Sequence, residues 1–206
     1  MRESPLDQSL QTATGSVFAA RLFSNLASPP ALFSGFAFLM AWLDRPEITG
    51  LAWAALYGLI AHLLPVLYLV YLYQQGRIYD IHVSSPAERR IPYRVGLAGA
   101  LLSYLLVLFL ADMPLLAHLI LIHLLIMLVL ALANERWLIS AHVAAITALT
   151  IQTGLVFGAL FSLLMLPLIP LTFYVRRYLK RHTLGELISG LALGVGSVFI
   201  LTTFLS

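Results

Sequence analysis

The chain has no cysteine and very little charge. Of its 206 residues only 10% are charged, and just 9 are acidic. Without Cys there can be no disulfide framework, thiolate metal site, iron–sulfur cluster or cysteine nucleophile. Soluble domains carry roughly 25% charged and ~45–50% apolar residues; here the apolar share is 61%. A soluble globular fold is excluded on that ground, and so is disorder, which needs low hydrophobicity and high charge. The scarcity of acids, with no paired Asp motif, argues against a prenyl-transferring enzyme, whose diphosphate is held by Asp-rich magnesium clusters. What remains is an all-α, polytopic integral membrane bundle of about six to seven transmembrane helices, read as a single domain over residues 1–206.

A membrane-spanning helix needs about 20 apolar residues. Seven hydrophobic segments are present, at 31–43, 51–73, 93–111, 114–133, 138–154, 157–175 and 184–205. The first is short and is extended to a start near Val17 or tilted into the membrane. As one helix, residues 138–175 would reach about 57 Å against a ~30 Å hydrocarbon core. Thr153-Gly154 is therefore expected to turn the chain between two spans. Pro167 and Pro170 are expected to kink the sixth, since each removes a backbone donor. Residues 1–17 are polar and mixed in charge, without the basic start and apolar run of a cleavable export signal. Insertion is then expected to begin with the first membrane helix.

With seven spans the basic residues sort by side. Arg2, Arg21, Arg77, Arg89, Arg90, Arg94, Arg136, Arg176, Arg177, Lys180 and Arg181 fall on one face, and Arg45 alone on the other, 11 of the 12 Lys and Arg against 1. The positive-inside rule makes the rich face cytoplasmic, with the N-terminus inside and the C-terminus outside. A site for an anion would gather the same residues.

Three polar clusters share that face: residues 76–93, 134–142 and 176–186. They bring His142, His182, several Arg and a carboxylate to one membrane boundary. Such a set suits phosphoryl chemistry. Guanidinium groups match phosphate oxygens in bidentate fashion, and helix N-termini add backbone donors. Ser140 and Thr183 stand at expected helix starts. His182 and Glu186 are spaced i, i+4 on one helical face, and an ionisable group within an apolar helix marks a function by default. Glu186 is placed to accept the Nδ1 proton of His182, leaving Nε2 as a nucleophile. The plainer alternative is an interfacial His and Glu that cap the last helix.

These residues resemble, in order and spacing, the type-2 phosphatidic acid phosphatase superfamily, in a divergent bacterial branch. That family is an all-helical membrane fold with three motifs, K-x6-R-P, P-S-G-H and S-R-x5-H-x3-D. Arg176-x5-His182-x3-Glu186 keeps the third spacing, with Glu for Asp and Val175 for Ser. Ile139-Ser140-Ala141-His142 stands where P-S-G-H belongs, and Glu88-Arg89-Arg90-Ile91-Pro92-Tyr93 is similar to the first motif. The resemblance covers residues 76–194. It implies a metal-independent, cofactor-independent phosphatase acting on a lipid phosphate in a bacterial-type inner membrane. His182 would be the nucleophile that forms a phosphohistidine, His142 the general acid, and Glu186 the group that orients His182. Arg89, Arg90 and Arg176 would bind phosphate together with Ser140. A catalytically decayed lipid-binding or transport protein on the same fold is the alternative. No nucleic-acid partner is implied.

Other polar residues are read as structural. His62, His118 and His123 are expected in hydrogen-bonded packing between helices, and Gln152 and Thr153 near the membrane boundary. Asp80 and His82 are read as solvated loop residues, and Asp44-Arg45-Pro46-Glu47 as a short loop without chemistry. Gly190-x3-Gly194 permits close helix packing, within the chain or across a homodimer. Trp42, Trp53, Trp137, Tyr73, Tyr93 and Tyr174 suit an interfacial aromatic belt.

Overall fold

The structure is a computed structural model. It describes residues 15–78, 86–134 and 136–204, with backbone alone for 86–88 and 204. Asp80, His82, Glu135 and the polar segment up to residue 14 lie outside the described residues.

The described chain is all-α. Its helices are α1 (Ser16–Leu26), α2 (Pro29–Asp44), α3 (Ile48–Tyr57), α4 (Leu64–Gln74), α5 (Pro86–Leu110), α6 (Pro114–Ala133), α7 (Ala141–Phe157), α8 (Ala159–Met165), α9 (Leu168–Tyr178) and α10 (Leu184–Phe204), with a π-helical segment (Gly58–Leu63) joining α3 to α4. Among the described residues, five helices are long and apolar enough to cross a membrane: Ile48–Gln74, Arg89–Leu110, Pro114–Ala133, Ala159–Tyr178 and Leu184–Thr203. A sixth is counted if α1 and α2 form one broken span. The protein is thus an integral membrane protein. At 17 residues α7 is shorter than these spans.

The contacts divide the chain into two compact units, one of Met1–Leu32 with Ile139–Ser206 and the other of Phe33–Leu138. They are called unit 1 and unit 2.

In unit 2, α6 packs along α5, and α5 also lies against the π-helical segment. Pro65 accounts for that segment. It has no N–H for the carbonyl four residues back, and its ring crowds the same carbonyl, so the preceding turn widens. Gly99 makes room for the result, because a Cβ there would come 2.6 Å from the Ile60 carbonyl oxygen. The widened turn carries His62 into a buried polar cluster. Ser34 Oγ bonds His62 Nδ1 at 2.8 Å, Tyr57 OH bonds His123 Nδ1 at 2.8 Å, and the two imidazoles lie 4.8 Å apart. His62 and His123 thus join helices by hydrogen bonds, as expected. His118 makes no hydrogen bond among the described residues, and its buried Nε2 has no partner.

Asp44 has a structural task that its short loop did not suggest. Its carboxylate accepts from the backbone N–H groups of Leu115 (3.1 Å) and Leu116 (2.9 Å), capping α6 from a distant loop. Arg45 completes the clasp by donating to the Ala111 carbonyl at 3.3 Å.

In unit 1, α7 is the central element, and Val143–Thr153 is buried almost throughout. Gln152 and Thr153, expected at the membrane boundary, are buried here. Thr153 satisfies its hydroxyl on the Leu149 carbonyl one turn back. The turn after α7 falls at Gly158 rather than at Thr153-Gly154. Gly158 has φ 94, a left-handed conformation that glycine alone adopts without strain. Gly154 stays helical and serves packing instead, since a Cβ there would meet Ser162 of α8 at 2.9 Å. Pro167 separates α8 from α9, and Pro170 sits in the first turn of α9, where a missing N–H costs little.

Candidate phosphoryl-transfer site

His182 lies in the short link between α9 and α10, and the chain reaches it through a defined helix end. The Arg181 N–H bonds the Arg176 carbonyl (3.0 Å) and the Lys180 N–H bonds the Arg177 carbonyl (2.9 Å). Lys180 has φ 56. This is the Schellman termination, with a lysine where glycine is usual. Arg177 donates to the His182 carbonyl at 3.4 Å and fixes the link from the side.

The start of α10 then orients the ring. Thr183 and Glu186 form a capping box: the Thr183 N–H donates to Glu186 Oε2 (3.0 Å), and the Glu186 N–H donates to Thr183 Oγ1 (3.4 Å). Glu186 Oε2 also bonds His182 Nδ1 at 3.1 Å. His182 and Glu186 are both buried, each 7% exposed. A carboxylate only accepts, so Nδ1 carries a proton toward Glu186, and in the neutral ring Nε2 then holds the lone pair. Capping and orientation are therefore one arrangement, not alternatives.

The start of α7 is tied to the same helix. The Ser140 N–H donates to the Glu186 carbonyl at 3.1 Å. Gly190 and Gly194 let α10 approach: a Cβ on Gly190 would lie 2.6 Å from the Ser140 carbonyl oxygen, and one on Gly194 2.6 Å from that of Ala144. The pair of glycines thus packs within the chain. Ser140 is fully buried, caps α7 without a side-chain bond, and keeps a hydroxyl with no partner.

His142, one residue into α7, faces α1. Its Nε2–H donates to the Ser24 carbonyl at 3.1 Å, and the Ser24 hydroxyl lies 3.5 Å away. The same hydroxyl accepts from Arg176 at 2.8 Å. Ser24 thus links the expected general acid to the expected phosphate-binding arginine. Arg176, His182 and Arg181 are all close enough to His142 to act on it electrostatically.

His182, His142, Glu186, Arg176 and Ser140 all belong to unit 1. Arg89 and Arg90 stand in the first turns of α5, in unit 2, half-buried and exposed respectively. Among the described residues, no group of three or more His, Asp and Glu is arranged to hold a metal ion. Ser24 is the contributor that spacing did not reveal. It stands 118 residues from His142 and 152 from Arg176, in a helix whose existence the sequence left open. Compared with known proteins, the chain matches no family model, no curated protein and no solved structure.

Proposed function

We propose that the protein is a metal-independent membrane lipid phosphatase. It hydrolyses a phosphate monoester or diphosphate of a lipid, of the phosphatidic acid, phosphatidylglycerol phosphate or polyprenyl diphosphate type. One observation carries this proposal: the buried His182 Nδ1–Glu186 Oε2 pair at 3.1 Å, with His142 and Arg176 joined through Ser24 beside it. The motif resemblance over residues 76–194 points to the same chemistry.

In this mechanism Arg176, the Ser140 hydroxyl and the first N–H groups of α7 hold the phosphate oxygens. His182 Nε2 attacks phosphorus and the bond to the lipid oxygen breaks. His142 takes up a proton against its burial and the nearby Arg176, which disfavour its charged form, and gives it to that oxygen. Because its Nε2–H is held by the Ser24 carbonyl, the transferable proton is the one on Nδ1. Glu186 offsets the positive charge of the phosphoimidazole ring. Water then attacks the phosphohistidine, returns a proton to His142, and inorganic phosphate leaves. The lipid tail remains among apolar helices throughout. The polar face is cytoplasmic on the charge asymmetry, so the substrate is an inner-leaflet lipid.

The test is phosphate release from these lipids by purified protein in the presence of a chelator. Wild type should turn over, and His182→Ala should lose at least about 10³-fold, as expected when a nucleophile is removed. Full activity in His182→Ala would end the assigned mechanism. Binding of phosphorylated lipids without turnover on any of them would favour a lipid-binding protein instead.

A further inference from the structure

Arg21 lies on α1 and is only 9% exposed. Among the described residues it makes no hydrogen bond or ion pair. A guanidinium presents five donors and stays charged at any accessible pH. The side chain is mostly enclosed while its nitrogens still reach solvent, so its donors point to an accessible place and are used by no protein group among the described residues.

Its position supplies the use. Arg21 and Ser24 are three residues apart and share a face of α1. Both are buried, and α1 packs on α9. Ser24 accepts from the Arg176 guanidinium through its hydroxyl and from His142 Nε2 through its carbonyl. The face of α1 that carries Arg21 is thus the one that meets Arg176 and His142. A buried donor without a partner, the Ser140 hydroxyl, lies two residues before His142. A tetrahedral oxyanion is the ligand that satisfies both. Its oxygens accept only, they take bidentate guanidinium donors, and they suit the N-terminus of α7.

We propose that Arg21 is a substrate-binding residue of this site, and that with Arg176 and Ser140 it holds the oxygens of a lipid-borne phosphate group. The proposal rests on the phosphatase function above. It adds α1, a helix outside the three motif regions, to the binding machinery. A bare structural role predicts different behaviour. If Arg21 served packing alone, its replacement would change stability and leave phosphate affinity untouched.

The test uses the purified full chain in detergent, with Arg21→Met and Arg21→Lys. Two probes are used: inorganic phosphate, read as a rise in Tm, and a short-chain phosphatidic acid, read as KM and kcat. Arg21→Met removes a mostly enclosed, unpaired side-chain charge, so its Tm without phosphate should equal or exceed that of wild type. Its phosphate-induced rise in Tm should vanish, and its KM should increase at least about 10-fold, the loss expected for hydrogen bonds to a charged group. kcat should change less. Arg21→Lys should recover part of the affinity, because it keeps the charge and loses the fork. If Arg21→Met does not fold, the lysine variant decides, by a smaller rise in Tm and a higher KM than wild type. A wild-type phosphate response and wild-type KM in the variant that folds would overturn the proposal, as would a lower Tm with unchanged phosphate affinity. Loss of lipid affinity with an intact response to inorganic phosphate would assign Arg21 to the lipid-borne group alone. An Arg21-dependent response to phosphate without turnover on any lipid would overturn the phosphatase function and leave the anion site standing. Turnover indifferent to Arg21 would do the reverse.

Discussion

A single oxygen of Glu186 accepts two hydrogen bonds, from His182 Nδ1 and from the Thr183 backbone. The residue therefore closes the first turn of α10 and sets the tautomer of the nearby imidazole. Glu186→Gln separates the two tasks. A capping box works with Gln as well as Glu, so thermal stability should fall by no more than about 1 kcal/mol. The negative charge behind the ring is lost, and turnover should drop roughly 10²–10⁴-fold, the range seen when an orienting carboxylate is neutralised. Phosphate-release kinetics and a thermal melt on one preparation check both. Equal turnover at equal stability would remove Glu186 from the mechanism. The i, i+4 spacing made this pair legible in the sequence, because it lies within one helical turn. Ser24 was not legible: nothing local ties a serine in α1 to His142 and Arg176, and only the packing of α1 on α9 brings them together.

At the level of elements, close approach depends on small residues and on clasps. Gly190 and Gly194 admit α7, and the start of α7 is where Ser140 and His142 stand. The Asp44–Leu115/Leu116 and Arg45–Ala111 bonds fasten two loops of unit 2. Asp44→Ala should lower stability by about 1–2 kcal/mol, the cost of a lost cap on a helix N-terminus. It should leave phosphate release per folded molecule unchanged, which a melt and an activity assay on the same sample will show. Hydropathy located most helices well, since α6 coincides with its segment at 114–133 and the others differ at their ends. It misplaced the turn after α7, because two glycines compete there. Only the backbone conformation distinguishes Gly158, which turns the chain, from Gly154, which packs against Ser162. The π-helical segment was likewise hidden, although Pro65 is its cause.

Across the whole molecule, the scarce charge carries more information than the abundant apolar surface. The 61% hydrophobic share sets the membrane as solvent, while the 12 Lys and Arg are the basis of the proposed sidedness and the proposed site. A chain without cysteine makes that sidedness directly measurable. Single cysteines at Lys180 and at Glu47 should react oppositely with an impermeant thiol reagent in intact cells. The Lys180 position should stay unlabelled until the membrane is opened. Labelling of that position from outside would reverse the orientation proposed above.

Unit 1 is discontinuous: α1 lies before residue 33, and the rest of the unit begins at Ile139. That layout has a consequence during synthesis. At about 5–20 residues per second, α1 emerges several seconds before His142 and longer still before Arg176. Throughout that interval Arg21 and Ser24 wait at the membrane while unit 2 is made. The proposed site therefore assembles only once α7, α9 and α10 have been made. A chain cut short anywhere before α9 carries α1 without the helix it packs on.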